Sequence, residues 1–114
     1  PVDYQGSVRQ IGQANNMFVF PAMGLGTLAV GATRVTEGMF LAAAGALAAA
    51  VDDEQTAQGS LFPRIVDVRE VSRTAAIAIG EQAIGEGLAS DVPDVAAVVD
   101  DLMWWPDYLP YRPA

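Results

Sequence analysis

The chain reads as a mostly α-helical unit with one or two short strands near its start, on three observations. Alanine-rich apolar stretches dominate from position 22 onward, and alanine propagates helix well. Capping signals recur at Thr36, Asp52 and Asp67, each just ahead of a segment that can form helix. The segments short or extended enough to be strands all lie before Pro21.

Pro1 to Gln13 is of mixed polarity. Tyr4-Gln5-Gly6 marks a turn, and Ser7 to Ile11 is a candidate extended piece. Gly12-Gln13-Ala14-Asn15-Asn16 follows as a polar loop. Met17 to Phe20 is short and continuously apolar, the pattern of a buried strand. Pro21 suits the first turn of the next helix, where its missing N–H costs nothing. That helix is expected over Ala22 to Ala32, weakened by Gly24, Gly26 and Gly31 at about 1 kcal/mol each relative to Ala.

Thr36 is the expected N-cap of a helix over Glu37 to Val51, with Val35 and Phe40 placed to form a hydrophobic staple across it. Asp52 and Gln55 form a second capping pair, opening one or two turns that stop at Gly59. Pro63 keeps Leu61-Phe62 extended. Asp67 and Glu70 form a third pair ahead of a helix over Val68 to Glu86, closed by Gly87. The middle of that helix, Ala75 to Ile79, is apolar on all sides, as in a helix buried on more than one face. Pro93 opens a last helix to about Met103. Trp104 to Ala114 is an aromatic and proline tail, more consistent with a clamp on an apolar surface than with a binding platform.

Composition excludes much chemistry. The chain of 114 residues has no His and no Cys, and its six basic residues are all Arg. No imidazole, thiolate or lysine amine is present to act as base, nucleophile or soft metal ligand. The net charge of -8 disfavours nucleic-acid phosphates. No signal peptide or membrane span is visible; Phe40 to Val51 is apolar but too short to cross. A cytoplasmic location is expected, and the absence of Cys agrees with a reducing compartment. Counting Gly and leaving out Tyr, 67 of the 114 residues are apolar, above the roughly 45–50% of ordinary domains. The chain therefore carries more apolar surface than it can bury alone, and the rest of a larger protein or a second copy is expected to cover it.

Several segments, taken in order, resemble the malic enzyme family. They are Gly12 to Asn16, Phe20-Pro21 with Gly24-Leu25-Gly26, Val35-Thr36, and Leu47 through Asp53-Glu54. Gly59 with Leu61-Phe62-Pro63, Val68-Arg69-Glu70-Val71-Ser72, Glu86-Gly87-Leu88-Ala89 and the Trp/Pro/Tyr tail complete the set. The resemblance covers nearly the whole chain. It implies a C-terminal fragment, residues 1–114, of an α/β Rossmann-like NAD(P)-binding domain. The whole enzyme would use NAD or NADP with Mg²⁺ or Mn²⁺ to decarboxylate malate oxidatively to pyruvate and CO2. Malolactic enzymes share the scaffold.

The resemblance carries substrate- and cofactor-binding roles to Asn15 and Asn16 without dividing them. Neutral amides orient a carboxylate and a hydroxyl without pulling on nearby pKa values. No catalytic residue and no metal ligand is expected in this chain, and no cofactor is expected to bind it alone. Its expected partners are malate or pyruvate, the remainder of the enzyme and further copies in a homo-oligomer, with no nucleic acid and no membrane.

Ala14 and Ala22 stand where the family usually has Gly; a positive φ at position 14 would strain the loop. Gly24-Leu25-Gly26-Thr27-Leu28-Ala29 matches the dinucleotide fingerprint on paper. It lacks the second strand and acidic residue of a true βαβ unit, because Thr36 starts another helix. The glycines are expected to serve packing. The alternatives left open are a free-standing helical interaction module and a small dinucleotide- or acid-binding protein.

Overall fold

The computed structural model describes residues 1–9, 11–12, 14–90 and 92–111. Strands β1 (Val2–Tyr4) and β2 (Ser7–Arg9) pair antiparallel, with Asp3 opposite Val8. Gln5 and Gly6 both take positive φ, 52° and 73°, as the tight primed turns of hairpins require. All six strand residues are exposed, and this hairpin is the only sheet among the described residues.

Five helices follow: α1 (Val19–Ala29), α2 (Glu37–Ala49), α3 (Asp53–Ala57), α4 (Val68–Gly85) and α5 (Val95–Leu102). A 3₁₀ turn, Ile65–Asp67, leads into α4. Helix α4 is the axis of the fold, packing against α1, α2 and α5. Its buried residues Val71, Ala75, Ala76, Ile79 and Ala83 meet Ala22 of α1, Met39, Ala43 and Leu47 of α2, and Val95 and Val99 of α5. Small side chains at the centre let the helices approach closely. This is the many-sided burial expected of the Ala75–Ile79 stretch.

The caps follow the sequence signals with two departures. The Thr36 hydroxyl accepts from Met39 N at 3.3 Å. Asp52 and Gln55 form a reciprocal capping box, with the Asp52 carboxylate accepting from Gln55 N at 2.7 Å. Gly87, at φ 69°, follows α4 in the left-handed conformation, and the Leu88 and Gly87 amides close back on the Ala83 and Ile84 carbonyls. Asp67 departs from its expected role. The 3₁₀ turn holds it at φ -92°, ψ 5°, away from the extended conformation of an N-cap, and its side chain makes no cap bond. Its carboxylate accepts from Arg64 Nε at 2.8 Å instead. The second departure is at α5, where Asp94, after Pro93, is the cap and accepts from Ala97 N at 2.9 Å.

The expected buried strand at Met17–Phe20 is corrected by the structure. Met17 and Phe18 lie in a turn and α1 begins at Val19, three residues before the expected start. No neighbouring strand among the described residues offers this segment a ladder. Its backbone is satisfied locally, with Phe20 N donating to Asn16 O at 2.9 Å. Phe18 is nonetheless buried, in the core against α4.

Two side-chain links tie the bundle together. Arg73 of α4 grips Asp100 of α5 with two bonds, 2.5 and 2.7 Å. Glu86, just past α4, accepts from Thr36 Oγ1 at 2.7 Å and from Gln82 Nε2 at 2.8 Å. The tail beyond α5, described as far as Tyr111, is non-helical as expected. It is held at its root by Arg69, whose guanidinium carbon stands 5.0 Å from the Trp105 ring and 6.0 Å from the Trp104 ring. The clamp is thus a cation over aromatic faces, and both Trp side chains keep large exposed surfaces. No helix among the described residues is long and apolar enough to cross a membrane.

Candidate substrate site at the entry to α1

Asn15 and Asn16 sit on the loop that delivers the chain into α1, and both are exposed. Asn15 folds its side chain back on the backbone, Oδ1 accepting from Met17 N at 3.0 Å. This bond fixes the amide, because Oδ1 faces the backbone and the Nδ2 group with its two protons is left to face outward. Asn16 contributes its carbonyl to the first turn of α1. The Gly12 end of the loop runs close beside Gly59-Ser60, where a Cβ added to Gly12 would stand 3.4 Å from the Gly59 carbonyl oxygen. Gln13 lies outside the described residues. Among the described residues Gln5 alone, other than glycines, has positive φ. Ala22 is fully buried in the core.

The loop and the connector between α3 and α4 enclose a cavity of about 190 Å³, lined by Asn15, Met17, Phe18 and by residues of the connector from Ser60 to Ile65. Of the two asparagines, Asn15 lines it and Asn16 does not. The polar members Ser60 and Arg64 were not singled out from the sequence. They come from more than forty positions away, and no spacing rule links them to Asn15. Ser60 Oγ donates to the Phe62 carbonyl at 3.0 Å. Arg64 is two-thirds exposed and uses Nε for Asp67, which raises its pKa further above the ordinary guanidinium value.

The dinucleotide-like glycines are not at a helix start. Gly24 and Gly26 both lie inside α1, where amide groups are engaged in helical bonds and cannot cradle a phosphate. Among the described residues no three acidic side chains converge as a metal site.

A family profile described as "Malic enzyme, NAD binding domain" matches residues 1–84. The chain belongs to the malic enzyme family. The NAD-dependent malic enzyme 3 of Bacillus subtilis (strain 168) is 42% identical over 113 residues, covering 98% of this chain. The NAD-dependent malic enzyme of Aeromonas salmonicida (strain A449) is 40% identical over 114 residues, and the NADP-dependent malic enzyme 3 of Arabidopsis thaliana is 38% identical over 115. The chain spans about one fifth, 20%, of the length of each of these relatives. A mostly helical chain with one small hairpin agrees with part of an NAD-binding domain.

Proposed function

We propose that this chain works as the C-terminal part of the NAD(P)-binding domain of a malic enzyme, forming one edge of the malate and nicotinamide site. The observation that carries the reading is the similarity to NAD- and NADP-dependent malic enzymes across 98% of the chain. The reaction is the oxidative decarboxylation of malate to pyruvate and CO2. Asn15 and Asn16 serve as neutral hydrogen-bonding groups that orient the substrate carboxylate and hydroxyl beside the nicotinamide. Neither moves a proton, since an amide does not titrate in the working range.

The described residues offer neither a carboxylate cluster for Mg²⁺ or Mn²⁺ nor a glycine cradle for a pyrophosphate. We assign metal, dinucleotide phosphates and the acid-base groups to other parts of the enzyme, as the family resemblance implies. In this reading the isolated chain is inactive, the complete enzyme is a cytoplasmic homo-oligomer, and its other partners are its own remaining domains.

A graft tests the proposal. The matching fifth of the Bacillus subtilis relative is replaced by this chain, and malate-dependent NAD reduction is followed with Mn²⁺ present. Activity in the folded chimera and none in the purified 114-residue chain is the expected result. A folded chimera without malate oxidation overturns the reading.

A further inference from the structure

The structure assigns a second ligand-binding residue to the site: we propose that Arg64, across the cavity from the Asn15 loop, binds a substrate carboxylate together with the Asn15 amide. The inference rests on the malic enzyme reading for its substrate, a 2-hydroxy dicarboxylate, and on the cavity for its geometry. Asn15 and Arg64 line the same space of about 190 Å³. With Oδ1 of Asn15 accepting from Met17 N, the Nδ2 group supplies two N–H donors. Arg64 Nε donates to Asp67, and among the described residues the two terminal amino groups of the guanidinium make no hydrogen bond. Ser60 has given its hydroxyl proton to the Phe62 carbonyl, so toward a ligand its oxygen acts as an acceptor. The rest of the wall is apolar, from Phe18, Phe62 and Ile65.

A small cavity with a cation, an amide N–H pair and one acceptor is complementary to a carboxylate next to a hydroxyl. The Arg64–Asp67 pair does not block this use. It engages one guanidinium nitrogen at 2.8 Å in an exposed setting, and such pairs hold weakly. The terminal amino groups can then make a forked bond to carboxylate.

The test uses the ¹⁵N-labelled 114-residue chain and two probes, L-malate and its uncharged diamide. Malate is expected to shift the Arg64 Nε–H and Asn15 side-chain amide resonances along one saturable curve, and the diamide to leave them in place. Arg64→Gln is expected to weaken malate binding at least tenfold with the backbone spectrum otherwise preserved, and Arg64→Lys to restore part of it. Malate that leaves both resonances unmoved, or an unchanged affinity in folded Arg64→Gln, overturns the assignment. The two readings fail separately. An active chimera with an unchanged KM for malate in Arg64→Gln removes the role of Arg64 alone. Arg64-dependent malate binding in an inactive chimera removes the malic enzyme reading and leaves the site.

Discussion

Replacing Gly26 by Ala should destabilise the fold, while the same change at Gly24, two residues earlier on the same helix, should stabilise it. Both glycines lie within α1, so both substitutions gain the helix propensity of alanine, about 1 kcal/mol. Their surroundings differ. A Cβ on Gly24 meets nothing within 4 Å. A Cβ on Gly26 runs into the backbone carbonyl oxygen of Ala76 and stands 3.0 Å from Cβ and Cγ2 of Ile79. Ala76 and Ile79 lie in the middle of α4, which α2 and α5 hold from other sides. The contact therefore cannot be relieved by turning one flexible side chain. Overpacking of this kind costs about 1–3 kcal/mol. Because the propensity gain is shared, the difference between the two variants isolates the clash. At roughly 4 °C per kcal/mol for a chain of this size, the two should melt roughly 4–12 °C apart. Thermal unfolding followed by circular dichroism, with urea midpoints as a check, measures it. A Gly26→Ala protein that melts at or above Gly24→Ala would refute the close approach of α1 to α4.

Glu86→Gln should destabilise the chain at neutral pH and cease to do so in acid. The bond from Gln82, and after it the bond from Thr36, hold the Glu86 carboxyl below its ordinary range. A lowered folded-state pKa gives stability that is present above the unfolded pKa and lost as pH falls through the folded one; urea midpoints at pH 7 and near pH 3 compare the two proteins. Arg69→Ala should release the aromatic tail, increasing acrylamide quenching of Trp104 and Trp105 while changing stability by less than about 1 kcal/mol. In the chimera, Asn16→Ala should lower kcat/KM for malate roughly ten- to hundredfold, the effect of losing a polar contact to a bound anion at about 1.5–3 kcal/mol; a value within twofold of the parent removes its assigned role. The isolated chain should self-associate or bind a hydrophobic dye. Its accessible surface of 8115 Å² exceeds the roughly 6,000 Å² of a compact monomer of this mass, and Phe20, Leu28 and Phe40 line an apolar groove; a dye-silent monomer in sedimentation at micromolar concentration would contradict this.

The helices were legible because their signals are local. Thr36, the Asp52–Gln55 box and Gly87 each act within one turn of their own position, so the sequence carries their whole cause. Asp67 failed as a cap although its spacing to Glu70 was right. Arg64, three residues upstream, competes for the same carboxylate, and the 3₁₀ turn changes the backbone from which the side chain would reach. Asn15 and Asn16 were legible as exposed residues of the loop ahead of α1. The cavity was not, because Asn15 meets Ser60 and Arg64 only through the packing of a loop against a distant connector.

Met17 to Phe20 shows what local pattern leaves undetermined. Four apolar residues in a row fit a strand buried on both faces and fit equally the buried entry to a helix. A strand needs backbone partners on its flanks, and a single unpaired strand would leave its N–H and C=O groups unsatisfied. The described residues supply only the exposed hairpin as sheet, so the segment satisfies itself by continuing α1 toward its N-terminus, with Asn16 O taking the Phe20 amide. The apolar content then divides. Phe18 turns into the core at 2% exposure while Phe20 remains 76% exposed, an imbalance that a two-sided sheet environment would remove. Among the described residues no strand lies beside Met17–Phe20, and Phe20 stays exposed at the entry to α1.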